Sequence, residues 1–109
     1  MRYLMTTLPT GEESEFTEQM AAEMGAFIQE LTASGALLAT GGLEPGGVLI
    51  TSKDGDVTIT DGPFAEAKEA VVGFALIEVR SKEEAIELSK RFWRIVGNGK
   101  GIVQQVFGP

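Results

Sequence analysis

The stretch Asp61-Gly62-Pro63-Phe64-Ala65-Glu66-Ala67-Lys68-Glu69 gathers three carboxylates, one lysine and one aromatic ring into nine residues. Together these side chains can take up a proton, hold an anion and pack an apolar body, which is what acid–base work on a small organic molecule requires. Gly62 tolerates backbone conformations closed to other residues, and Pro63 fixes its own φ while turning Gly62 away from the right-handed helical region. The turn is restricted, and Asp61 before it is aimed. A Phe64 ring packed nearby would partly desolvate Asp61 and favour its use as a general base. On this reading Asp61 is the acid–base group, Lys68 or an arginine steadies an anion, and Tyr3 is a proton donor. Gly62, Pro63, Phe64 and Glu66 complete the ligand-binding set. The alternative is architectural: Asp61 accepts from nearby backbone N–H groups, Phe64 is core, and Glu66, Lys68 and Glu69 are solvated.

Composition narrows the chemistry further. The 109 residues include no histidine and no cysteine, and nine Lys or Arg stand against 16 Asp or Glu, a net charge of −7. A disulfide, a Cys nucleophile, a Ser-His-Asp triad and a His-ligated metal are all excluded. The carboxylates show neither calcium-loop spacing nor a magnesium pair, so no metal and no cofactor are expected. A pI of about 4.5 repels phosphate backbones and anionic membranes, which argues against nucleic-acid and membrane partners. No apolar run approaches the roughly 18–20 residues that span a bilayer, and no leader pattern opens the chain, so a cytoplasmic location is expected. Residues 1–60 hold two cations and nine anions, whereas 61–109 hold seven of each. The first half thus presents an acidic face, for solubility or for a basic protein partner.

The elements that must position these residues are readable from periodicity. Arg2 to Leu8 reads as a strand closed by Pro9 and Gly11. A helix over 14–34 follows from Phe16, Met20, Met24, Phe27, Ile28 and Leu31 at three- and four-residue intervals. Thr10 and Ser14 are its candidate caps, four glutamates crowd its start, and Gly35 is placed for a left-handed C-cap. The stripe is a core face, not a ligand surface. Ala36 to Leu43 is a short strand. Asp54-Gly55 sits between two β-branched runs and marks a hairpin over 48–60. Val71 to Ile77 is apolar at every alternate position on both faces, as a central strand covered on both sides would be. Ser81-Lys82-Glu83-Glu84 caps a second helix with Ala85, Leu88, Phe92 and Ile95 inward and Gly97 at its end. Trp93 belongs to the core or to an interface. The run Gly97 to Gly101 follows a helix and precedes no other, so it reads as a turn before a last strand, 101–107, not as a phosphate cradle.

The order is β-α-β, hairpin, β-α-β in a single domain over 1–109. Right-handed crossovers put both helices on one sheet face, which predicts an α+β, ferredoxin-like fold with the hairpin as an insertion. The other face would then expose apolar residues of the strand at 71–79, and a homodimer of the α+β barrel type covers them.

DGPFAEAKE followed by VVGFALIEV and a capped helix resembles the DGPF-motif branch of the YCII-related family. The resemblance also takes in the RYLM strand, the hairpin before TDGPF, the Gly73-Phe74 step and Ser81 to Leu88. It implies a ferredoxin-like fold, dimers formed through the sheets, a ligand or active-site cleft near the motif, and a link with extracytoplasmic-function sigma factors. Three departures stand out. Ala67 replaces the usual Thr, no histidine exists for the His-Asp pair of some relatives, and Val103-Gln104-Gln105-Val106 lacks the acidic and arginine residues common in the last strand. Only Asp61 remains of that pair. Two functions are open: a small-molecule binding protein or enzyme with Asp61-assisted proton transfer, or a non-catalytic regulatory or protein-interaction module, linked to a sigma factor, in which the motif is structural.

Overall fold

A computed structural model describes residues 1–11, 15–44, 46–61 and 71–108. In chain order the elements are β1 (Arg2–Leu8), α1 (Glu18–Ala33), β2 (Leu37–Gly42), β3 (Val48–Lys53), β4 (Asp56–Asp61), β5 (Gly73–Glu78), α2 (Lys82–Val96) and β6 (Lys100–Val106). Four strands form one sheet in the order β2-β5-β1-β6, with every neighbouring pair antiparallel. Each β-α-β unit therefore skips one strand position, and its helix crosses the sheet: β5 fills the gap between β1 and β2, and β1 the gap between β5 and β6. This is the split, ferredoxin-like arrangement expected from the element order. β3 and β4 form a separate two-stranded sheet, paired from Val48↔Asp61 to Lys53↔Asp56. Asp54 and Gly55, both at positive φ (51° and 88°), make its two-residue turn.

The core lies between the helices and one sheet face. Tyr3 on β1 faces Ile77 on β5 in register, and Ile77 is 1% exposed. Phe27 and Leu31, one turn apart on α1, and Ala85 and Leu88 on α2 close over them. Arg91 joins the two helices. Its guanidinium donates to both Glu30 oxygens at 2.7 and 2.9 Å and lies 4.7 Å from the centre of the Phe27 ring.

α1 starts later than the periodicity suggests. Its N-cap is Thr17, whose hydroxyl accepts from the Met20 N–H at 3.1 Å, while the Thr17 N–H donates to the Met20 sulfur at 3.4 Å. Phe16 therefore precedes the helix and stands 59% exposed, and Ile28, also assigned to the core stripe, is 37% exposed. Of the four glutamates assigned to its start, Glu18 lies in the first turn and Glu15 precedes the helix, while Glu12 and Glu13, with the candidate cap Ser14, are outside the described residues. The C-terminus ends as expected. Gly35 at φ 81° donates to the Thr32 carbonyl and Ala36 to that of Leu31, a double bond pattern that requires the left-handed glycine. In α2, Ser81 caps through the Glu84 N–H at 3.1 Å, while the Glu84 carboxylate takes the N–H of Arg80 at 3.3 Å.

Candidate functional site

α1 does not seal the sheet beneath it. Between them lies a cavity of about 140 Å³. Met24, Phe27, Ile28 and Leu31 form its roof; Met5, Leu37, Ala75 and Ile77 rise from the sheet; Phe92 of α2 closes one side. The polar groups on the lining are two threonines, Thr7 at the end of β1 and Thr40 on β2. The Thr40 hydroxyl donates to the Phe74 carbonyl at 2.9 Å, which leaves its oxygen able to accept. Gly73 keeps the rim open, because a Cβ there would stand 2.9 Å from the Thr7 hydroxyl oxygen. A half-open apolar pocket of this size with few polar groups suits a small organic molecule.

The roof is held from outside by the Arg91 contacts. Hydrogen bonds from Arg91 hold the Glu30 carboxyl below the usual carboxylate range, and the same bonds raise Arg91 above its ordinary value. The Arg91 cation over the Phe27 ring steadies a residue that also lines the cavity.

The residues selected from sequence fall elsewhere. Tyr3 is buried, 4% exposed, in the helix-side core, and does not line the cavity. Asp61 is the last residue of β4, exposed, opposite Val48 on the hairpin. The two lie in different sheets. Gly62, Pro63, Phe64, Glu66 and Lys68 are outside the described residues. Just before β5, Val72 donates to the Thr7 carbonyl and its own carbonyl accepts from the Leu43 N–H, so β5 is entered at the cavity rim. Thr7, Thr40 and the roof of α1 carried no local signal. Met24 and Phe27 lie on a stripe whose spacing fits a packed core equally well. The glycine run after α2 serves packing: a Cβ on Gly99 would collide with the Trp93 ring, and one on Gly101 with the Thr6 carbonyl oxygen. Among the described residues no cluster of three or more carboxylates is placed to hold a metal ion, and no helix is long and apolar enough to cross a membrane.

An antiparallel sheet of this order under two helices defines an α+β protein of the ferredoxin-like type. The chain belongs to the YCII-related domain family, which it matches over residues 1–99. An uncharacterized protein of Rhizobium meliloti (strain 1021) is 31% identical over 78 residues, covering 70% of this chain and 63% of that protein, so the match spans under two thirds of the relative's length. A solved structure similar to the chain is 5-chloro-2-hydroxyhydroquinone dehydrochlorinase of Burkholderia phenoliruptrix in complex with 2,5-dihydroxybenzoquinone. The TM-score is 0.49 at 13% identity, over 100% of this chain and 96% of that one.

Proposed function

We propose that this chain is a cytoplasmic homodimer of the DGPF-motif branch that binds a small organic molecule, about one ring in size, in the cavity beneath α1. The observation that carries this is the half-open apolar pocket of about 140 Å³ with two threonines on its lining. Chemistry on the bound molecule is assigned to Asp61 as acid–base group, without metal or cofactor. Asp61 stands on the hairpin and does not line that cavity, so what supports this assignment is the motif that it opens. Dimerisation uses the sheet face away from the helices. On that face Leu4 pairs with Leu76, and Thr6 stands between Phe74 and Ile102. Ile102 and Val106 are 43% and 42% exposed there.

The test is a titration with single-ring compounds, followed through the methyl and ring resonances of Met24, Phe27 and Leu31. Saturable shifts at those residues are expected, and Met24→Trp, which fills the roof, should abolish them. Failure of every ring compound to shift them, or shifts that persist in Met24→Trp, would overturn the binding reading. The exposed position of Asp61 favours a second reading, an interaction module linked to a sigma factor. It predicts that Asp61→Asn alters partner capture and leaves ring binding unchanged.

A further inference from the structure

The apolar stripe of α1 runs past the core. Phe27 and Leu31 belong to the core cluster and Met24 packs against it, but Met20, one turn earlier, and Phe16, ahead of the helix, lie beyond it. These two cover a second apolar pocket, of about 170 Å³ and more open than the first. Leu8 of β1 and Val72 before β5 line it from the sheet, and Trp93 and Val96 line it from α2. The two pockets adjoin, because Thr7 and Phe92 line both. Among the described residues no charged side chain lines either one. The aromatic part of the shared wall is braced. Phe92 meets Trp93 edge-on, with ring centres 5.0 Å apart at 85°. Trp93 in turn lies so close to the backbone of Gly99 and Gly101 that a Cβ on either would press on its ring.

From this we infer that the ligand site beneath α1 has two lobes and takes an uncharged ring that carries a short alkyl chain through an ether, ester or amide link. The inference rests on the ring-binding reading and names its ligand class. The ring occupies the first pocket and the chain the second. Charge is excluded from both ends, since an ion moved into an apolar lining loses its water and finds no counterion there. The link is polar because Thr7, the polar residue common to both linings, stands where it must pass. A threonine hydroxyl donates to an ether or carbonyl oxygen and also accepts from an amide N–H. Gly73 leaves room beside that hydroxyl: a Cβ there would stand 2.9 Å from its oxygen. Met20 and Met24, unbranched and adaptable, give the roof over both lobes the compliance that a chain passing from one to the other needs.

The experiment compares the affinities of methoxybenzene, butoxybenzene and 4-phenoxybutanoate for the wild type and for Val96→Trp, which fills the second lobe. Each buried methylene tightens binding about fourfold, so butoxybenzene should bind wild type at least about tenfold more tightly than methoxybenzene. The carboxylate of 4-phenoxybutanoate should cancel that gain. In Val96→Trp the two uncharged ethers should bind about equally. If methoxybenzene leaves the Met24, Phe27 and Leu31 resonances unmoved, the ring-binding reading falls and the second lobe with it. Methoxybenzene that binds, with no gain from the butyl chain, sinks the second lobe alone. So does a gain that persists in Val96→Trp, and a carboxylate that keeps the gain refutes the uncharged class. Should Val96→Trp not fold, nuclear Overhauser contacts in the wild type decide instead. Contacts from the terminal methyl of butoxybenzene to the Trp93 indole and the Met20 methyl support the second lobe, and their absence refutes it.

Discussion

Leu31→Ala probes the cavity most directly. Leu31 is 7% exposed, lies in the core cluster and also forms part of the cavity roof, so its removal enlarges an existing void. Three carbons taken out of apolar surroundings cost about 2.4 kcal/mol at ~0.8 kcal/mol each. A void that persists adds about 24 cal/mol for each Å³ left unfilled, which brings the expected loss to about 3–5 kcal/mol. In a domain of this size that lowers Tm by roughly 15 °C or more. The distinguishing part is recovery. A ring compound at a hundred times its Kd should restore about 2.7 kcal/mol, and a ring bearing an extra alkyl group should do better on the variant than on the wild type. Denaturant titration and calorimetry with and without the compound measure both quantities. A loss near the transfer value alone, with no recovery by any ring, would mean that α1 settles onto the sheet and that no persistent cavity exists.

Thr6 is buried and its hydroxyl has no partner among the described residues, so Thr6→Val, which keeps the branched shape, should raise stability by about 1–2 kcal/mol in urea titration. A decrease would show that the assembled protein supplies that hydroxyl with a partner. The Glu30 carboxyl, held below its ordinary value of 4.5 by Arg91, contributes stability that is present above that value and is lost as pH falls through the lower folded-state pKa. Wild type should therefore melt above Glu30→Gln at neutral pH, with the gap closing in acid; a gap equal at pH 7 and pH 3 would assign the effect to packing. Asp61→Asn, once a reaction is in hand, should leave assembly and Tm within a few degrees and abolish turnover, and a folded, fully active variant would remove Asp61 from the chemistry.

The architecture was legible because its signals are local. Asp54-Gly55 specifies its hairpin turn, Ser81 with Glu84 the start of α2, and Gly35 the end of α1. The start of α1 was not legible, because Thr10, Ser14 and Thr17 all offer a capping hydroxyl. A stripe that includes Phe16 does not reveal which turn is wound, and the choice fell to Thr17, whose partner is a methionine sulfur that no capping rule anticipates. The cavity could not be read from the chain either. Thr7, Leu37, Phe27 and Phe92 meet there from four elements, and an apolar residue beside a void has the same spacing as one beside a neighbour. Gly73 held the nearest hint, a missing side chain at the start of a strand otherwise rich in bulk.

The placement of β1 governs how the chain must assemble. β1 has β5 and β6 as its sheet neighbours, and both come after α1, β2 and the hairpin along the chain. Through the synthesis of β1, α1 and β2 no two of these elements can share a strand ladder, since the slot between β1 and β2 is reserved for β5. The hairpin alone can form early. One edge of β1 thus stays open, with unpaired N–H and C=O groups, until β5 arrives, and the other until β6 does. Folding waits on contacts of long sequence separation, which slows it and lengthens the exposure of Tyr3, Leu4 and Met5 to other chains. Truncation anywhere before β6 should therefore yield an aggregating chain, with no smaller folded unit to recover.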